Sequence, residues 1–179
     1  MLVDDWCGAM ADRPGWLGGT YGFTDDDVFV AVVRFESRES AAANAARPEQ
    51  TAWWKEMETC FDGPVEFHDC DDVTLMLDGG SDSAGFVQVI RGKVDDVDRL
   101  RSMMTADTDS LHQVRPEIIG GTLAVEPDGT FTETVAFTSE DAARQGESLE
   151  PPADVQADLQ YAMAGAQFYD LHHPWFASK

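Results

Sequence analysis

The sequence predicts an α+β protein made of two ferredoxin-like β-α-β-β-α-β repeats, the first lacking its first strand. Three observations carry this. The stretch PGWLGGTYGFTDDDVFVAVVRFES, from Pro14, returns as PEIIGGTLAVEPDGTFTETVAFTS, from Pro116. Strand-like alternation and helix-like spacing follow one another in the ferredoxin-like order. A further strand-like run, FVQVIRGKV, precedes the second copy only.

The copies stay in register at an offset of 102, the distance from Pro14 to Pro116. Gly18, Gly19 and Thr20 meet Gly120, Gly121 and Thr122; Phe29, Val33 and Phe35 meet Phe131, Val135 and Phe137; Ser37 meets Ser139 and Gly63 meets Gly165. One offset held over two strands, a helix and a final strand marks a tandem duplication. The expected boundaries are a first repeat at 1–76, a linker at 77–85 and a second repeat at 86–179.

The second copy supplies every element. Phe86–Val94 alternates and is rich in β-branched residues, as a strand is. In 95–114, Val97, Leu100, Met103, Met104 and Leu111 recur at helical spacing. IIGGTLAVE and TFTETVAFT form a hairpin turning at Pro127-Asp128-Gly129. Ser139 caps the next helix, the Pro151-Pro152 break separates it from ADVQADLQYAMAG, and AQFYDLHH is the last strand. In the first copy, WLGGTYGFT and VFVAVVRFE are the hairpin, TAWWKEMETCF is helical, and VEFHDCDD is the expected closing strand.

Before the first hairpin only LVDDWCGAMA precedes, opposite the second half of the second copy's first helix. A ferredoxin-like sheet places its first strand centrally, hydrogen-bonded on both sides, so its loss would leave interior backbone groups unpaired. The expectation is a native start further upstream, by roughly 15–20 residues, enough for a strand and a turn. Filling of the gap by another chain or by the linker is the alternative.

Composition excludes several classes. The net charge is −22, from 34 acidic and 12 basic residues, and it disfavours binding to nucleic acid. No apolar run approaches the roughly 20 residues of a membrane span, and the first residues lack a secretory pattern; cytoplasmic residence is expected. Cys7, Cys60 and Cys70 are too few and too irregular for a disulfide framework or a metal site. No phosphate-binding glycine loop or nucleophile motif occurs.

The duplicated unit, its GGT strand, and the run RFES-SAA-N-RPEQ-WW resemble the dimeric α+β barrel superfamily, in particular antibiotic-biosynthesis-monooxygenase-like domains in tandem form. The resemblance covers nearly the whole chain. It implies that both ferredoxin-like sheets pack face to face as an α+β barrel within one chain. It also implies a cofactor-independent monooxygenase acting on a small aromatic substrate that itself reduces oxygen, with no cofactor or metal. The unfilled sheet edge of the first repeat leaves both a monomer and a homodimer open. A non-catalytic small-molecule-binding or protein-interaction module is the other reading. The haem-degrading branch relies on an asparagine in the first strand, where Gln88 stands here, and on a helical histidine that His112 does not match.

Two sets of residues could form a site. Strand periodicity puts Phe29, Val33, Phe35, Phe131, Val135 and Phe137 under the helices. The opposite face then carries Arg34, Thr130, Thr132 and Thr134, joined by Glu66, His68, Gln88, Phe168 and Asp170. Here His68 is the group able to move a proton near neutrality, with Glu66 and Arg34 as its partners, and Gln88 and Thr132 as ligand contacts. The second set lies between sheet and helices, where the resemblance locates the pocket. Trp53, Trp54, Met57 and Phe61 offer an aromatic lining for a planar ligand, whereas Val155, Leu159 and Met163 fill the other copy. His172 and His173 read as a surface end.

Overall fold

The computed structural model describes residues 2–10, 12–80, 82–105, 111, 113–151 and 153–178. His112 lies outside them. Helix α1 (Leu2–Met10) precedes a hairpin of β1 (Trp16–Phe23) and β2 (Phe29–Phe35). Then come α2 (Arg38–Ala45), α3 (Pro48–Glu58), β3 (Asp72–Met76), β4 (Phe86–Lys93) and α4 (Val97–Thr105). The chain continues through β5 (Ile118–Val125), β6 (Thr130–Phe137), α5 (Glu140–Glu147), α6 (Ala153–Ala162), β7 (Gln167–Leu171) and β8 (Trp175–Ser178).

Local chemistry explains the shared elements. Ser37 and Ser139 are extended residues whose side chains accept from the backbone N–H of Ser40 and Ala142, satisfying an orphan donor at the start of α2 and of α5. Pro48 occupies the first turn of α3, where its missing N–H costs nothing. The β5–β6 turn closes with Asp128 accepting from the Thr130 N–H. No described helix is long and apolar enough to cross a membrane.

The strands form two sheets, β2-β1-β8 and β3-β5-β6-β4-β7. The fold is α+β and ferredoxin-like, as expected, and in the larger sheet β4, β5, β6 and β7 take the ferredoxin-like order. Two expectations are corrected. Among the described residues the sheets close no barrel. The closing strand expected at Val65–Asp72 is absent, and the strand falls at Asp72–Met76 instead. The reason lies in pairing. β7 is held by β4, whereas 65–69, its counterpart at the offset of 102, has no equivalent of β4 beside it among the described residues. That segment forms no ladder and leaves Val65 and Phe67 exposed.

β3 pairs antiparallel with β5, and β8 joins β1. The repeated Gly-Gly serves these two additions. A Cβ on Gly120 would overlap the carbonyl oxygen of Gly79, just past β3, and a Cβ on Gly18 would stand 3.1 Å from the carbonyl oxygen of Ala177 in β8. Glycine lets the added backbone come close.

The chain packs as two units. One holds the three N-terminal helices, most of β1 and β2, residues up to Asp69, and the end of β8; the other holds the hairpin tip Tyr21–Val30 and Cys70–Trp175. In the first, Val3, Met10, Trp16 and Met57 are buried. The second has the larger core, built on Phe86, Ile90, Leu100, Leu123, Phe131, Val135 and Phe137.

Candidate functional site

In the second unit the ladders decide which face each side chain joins. Across β4–β6, Phe86 stands opposite Phe137, Gln88 opposite Val135, and Ile90 opposite Glu133. Across β5–β6, Leu123 faces Glu133 and Val125 faces Phe131. Across β4–β7, Gln88 faces Asp170 and Ile90 faces Phe168. Residues directly opposite share a face. Gln88, Glu133, Asp170 and Phe168 therefore lie on the face of Phe86, Ile90, Leu123 and Phe131, the face packed with α4, α5 and α6. The expected placement of Gln88, Phe168 and Asp170 on the opposite face is corrected: β4 presents Phe86, Gln88 and Ile90 to the helices and Val87, Val89 and Arg91 to the other side.

Glu133 is the unusual member. It is 8 % exposed, between Phe131 and Val135 on its own strand and Ile90 and Leu123 on the neighbours. It has no hydrogen-bond or ion-pair partner among the described residues. Burial without a compensating charge pushes its carboxyl up to about 7. Such a group is ionised in part at neutral pH and can take up or release a proton there.

Beside it runs a connected polar set. Gln88 Nε2 donates to Asp170 Oδ1 at 2.9 Å. Arg144 of α5 pairs with Asp170, with Glu140 at 3.3 Å and with Glu147 at 3.1 Å, and lies 5.1 Å over the Phe86 ring. Its hydrogen bond to Asp170 holds the guanidinium above its usual range. His172 Nδ1 lies 2.6 Å from Glu140 and Nε2 lies 3.3 Å from Asp25 of the hairpin tip. The hydrogen bond to Glu140 raises the imidazole above its ordinary value of 6.5 and lowers the carboxyl below its own. His172 also sits 5.7 Å from the Phe86 ring. It was expected as a surface end, and the structure makes it part of this network.

On the opposite face, Thr132 accepts from Arg91 at 2.9 Å, and Arg91 pairs with Glu126 at 3.0 Å. Buried Thr134 reaches the Thr122 carbonyl at 3.5 Å. Thr132 and Thr134 are thus partnered within their own sheet.

In the first unit, His68 Nε2 and Glu66 lie 3.5 Å apart on the exposed 65–69 segment. Arg34 is half-buried on β2 and bonded to neither. The aromatic lining does assemble: Trp54 is 6.0 Å from Trp53, 6.3 Å from Phe61 and 5.0 Å from Phe67. Met57 is buried, and Phe67 is 70 % exposed. Val155 and Leu159 of α6 are exposed, whereas Met163 packs against the larger core. No described group of three His, Cys, Asp or Glu could hold a metal ion.

Three solved structures align along almost the whole chain. A provisionally assigned monooxygenase of Fusobacterium nucleatum subsp. nucleatum ATCC 25586 matches with a TM-score of 0.77 and 11% identity, over 99% of this chain and 85% of that one. One of Lactobacillus acidophilus NCFM matches with a TM-score of 0.74 and 10% identity, over 99% and 86%. An anthrone oxidase-like protein matches with a TM-score of 0.58 and 11% identity, over 99% and 86%. This chain shares their fold. The resemblance read from the sequence stands at that level. No family model and no curated protein matches the sequence.

Glu133 and Arg144 escaped the sequence reading as site residues. The signal for Glu133 was present: in TFTETVAF it takes the strand position that Phe131, Val135 and Phe137 take, and its counterpart in the first copy is Ala31.

Proposed function

We propose that the protein is a cofactor-independent monooxygenase of small aromatic compounds, with its site in the helix-facing layer of the second unit. The observation that carries this reading is Glu133, an unpaired carboxyl in an apolar layer, poised near neutral pH. A base in such surroundings suits an aromatic compound bearing a phenolic hydroxyl or an activated CH₂. Glu133 takes the proton, and the electron-rich anion passes its electrons to O₂. One oxygen atom ends in the product as a carbonyl and the other leaves as water, so the substrate is the reductant. Around this base, Ile90, Leu123, Phe131 and Val135 provide apolar surface, and Gln88 offers an amide beside it. The fold shared with proteins assigned as monooxygenases, and with one described as anthrone oxidase-like, supports the reading. Tandem origin of the two halves, cytoplasmic residence, and action as a monomer or homodimer belong to the same proposal.

Oxygen uptake with hydroxylated polycyclic aromatics, measured for wild type and Glu133→Gln, tests it. Consumption by wild type that falls at least about a hundredfold in the variant is expected for loss of a general base. No uptake with any member by a cooperatively folded protein overturns it.

The cluster of half-buried Trp53, Trp54 and Phe61 with exposed Phe67 favours a second reading, a binding module holding a planar ligand against these rings. Tryptophan quenching by an aromatic ligand without turnover, lost in Trp54→Ala and kept in Glu133→Gln, is its signature.

A further inference from the structure

Around Glu133 every cation is already taken. The basic residues of the second unit are Arg91, Lys93, Arg99, Arg101, Arg115 and Arg144. Arg91 and Lys93 pair with Glu126 and Asp128 at 3.0 and 2.7 Å, and Arg115 pairs with Glu117. On α4, Arg99 pairs with Asp158 of α6 and lies 4.3 Å over the Tyr161 ring, and Arg101 pairs with Asp72 and Asp98. On α5, Arg144 is shared by Asp170, Glu140 and Glu147, and His172 is shared by Glu140 and Asp25. Within the sheet, the helix-facing side adds Gln88, which is neutral, and Asp72 and Asp170, which are acidic.

Such a layer tolerates one added negative charge at a time. When Glu133 takes a proton from a hydroxyl, the ligand's O–H bond breaks and an O–H bond forms on the carboxyl. The charge among Ile90, Leu123, Phe131 and Val135 is then the same before and after the transfer. A ligand that brings its own carboxylate places a second negative charge beside an ionised Glu133. Burial without a counter-charge disfavours that state, and two like charges disfavour it further.

We infer that the Glu133 site selects its aromatic ligands by charge, taking compounds with uncharged ring substituents and excluding aromatic carboxylates while Glu133 is ionised. Hydroxyl and carbonyl groups are the substituents that fit. Glu133 is then the specificity-determining residue as well as the base, and selection works by an unfavourable contact with the wrong ligand. The inference rests on the site proposed above.

The probes are naphthol and naphthoate, alike in their rings and different in charge, titrated by calorimetry into the intact protein at pH 5 and pH 8. With the carboxyl at about 7, roughly a tenth of it is protonated at pH 8, so naphthoate is expected to bind about tenfold more weakly there than at pH 5. Naphthol is expected not to weaken. His172 also loses charge in the upper part of this range. The weakening is therefore expected to vanish in Glu133→Gln and to persist in His172→Gln. In wild type, naphthoate binding near pH 7 is expected to take up about half a proton, read from buffers of different ionisation heat. Naphthoate binding equally well at both pH values, binding without proton uptake, or no binding of either probe at millimolar concentration overturns the inference. Naphthylmethylamine binding more tightly than naphthol at pH 8 overturns the uncharged class and assigns amines instead. Oxygen uptake separates this inference from the catalytic reading. Selective binding with no uptake from any hydroxylated aromatic overturns the monooxygenase and keeps the charge rule. Equal uptake from hydroxylated aromatics with and without a ring carboxylate keeps the monooxygenase and overturns the charge rule.

Discussion

Glu133 stands directly across the β4–β6 ladder from Ile90, so a carboxyl and an aliphatic side chain share one buried position. Nothing described on the neighbouring strands or helices compensates the charge. The arrangement costs stability whenever the carboxyl ionises, and that cost is measurable.

With a folded value of about 7 against an ordinary 4.5, the native state binds more protons than the unfolded state between those two pH values. Stability therefore falls as pH rises through this window. The penalty is absent below about 4.5 and complete above 7, where it reaches about 3 kcal/mol. Glu133→Gln removes the charge at nearly constant volume. Denaturant melts at pH 5 and pH 8 are expected to show the variant gaining stability over wild type at pH 8 and little at pH 5. Equal differences at both pH values would show that the carboxyl is not held near 7.

His172 responds in a different window. Its folded value is raised by Glu140, so its contribution is fully present below about 6.5 and is lost as pH rises through the higher folded value. In His172→Gln the fall in Tm over this upper range is expected to vanish while the lower window of Glu133 remains. Glu140→Gln is expected to flatten the same upper range.

Arg144 holds Asp170, Glu140 and Glu147 and covers the face of Phe86. Arg144→Leu leaves these carboxylates without their shared cation, at an expected cost of about 2 kcal/mol in urea unfolding, since bonds to charged groups exceed neutral ones. Arg144→Lys is expected to recover part of it, because a point charge cannot reproduce the planar contacts.

At Gly120 the backbone leaves no room for a side chain against Gly79. Gly120→Ala is expected to cost about 1–3 kcal/mol and to speed amide exchange in β3, which pairs with this strand. Gly63→Ala, where a Cβ meets nothing within 4 Å, is the control and is expected to be near neutral.

How much was legible beforehand follows from how local each signal is. The hairpins, Ser37 and Ser139 as helix caps, and the strand at Phe86–Val94 are written in spacing and turn chemistry, and they form as read. The closing strand at 65–72 was not, because a strand exists only when a neighbour accepts its hydrogen bonds. The aromatic grouping of Trp53, Trp54 and Phe61 was legible from helical spacing, but Phe67 joined it through a contact that no spacing encodes.

By itself the sequence determined two similar stretches, each with its hairpin, its cap and its apolar face, because side-chain periodicity and capping act over a few residues. Only the tertiary structure decided the rest: that β3 pairs with β5 and β8 with β1, and that Gln88 and Asp170 join Glu133 under the helices. These are matters of register and partner. One residue of slip turns a strand's side chains to the other face, and register is settled between residues as far apart in the chain as Gly18 and Ala177.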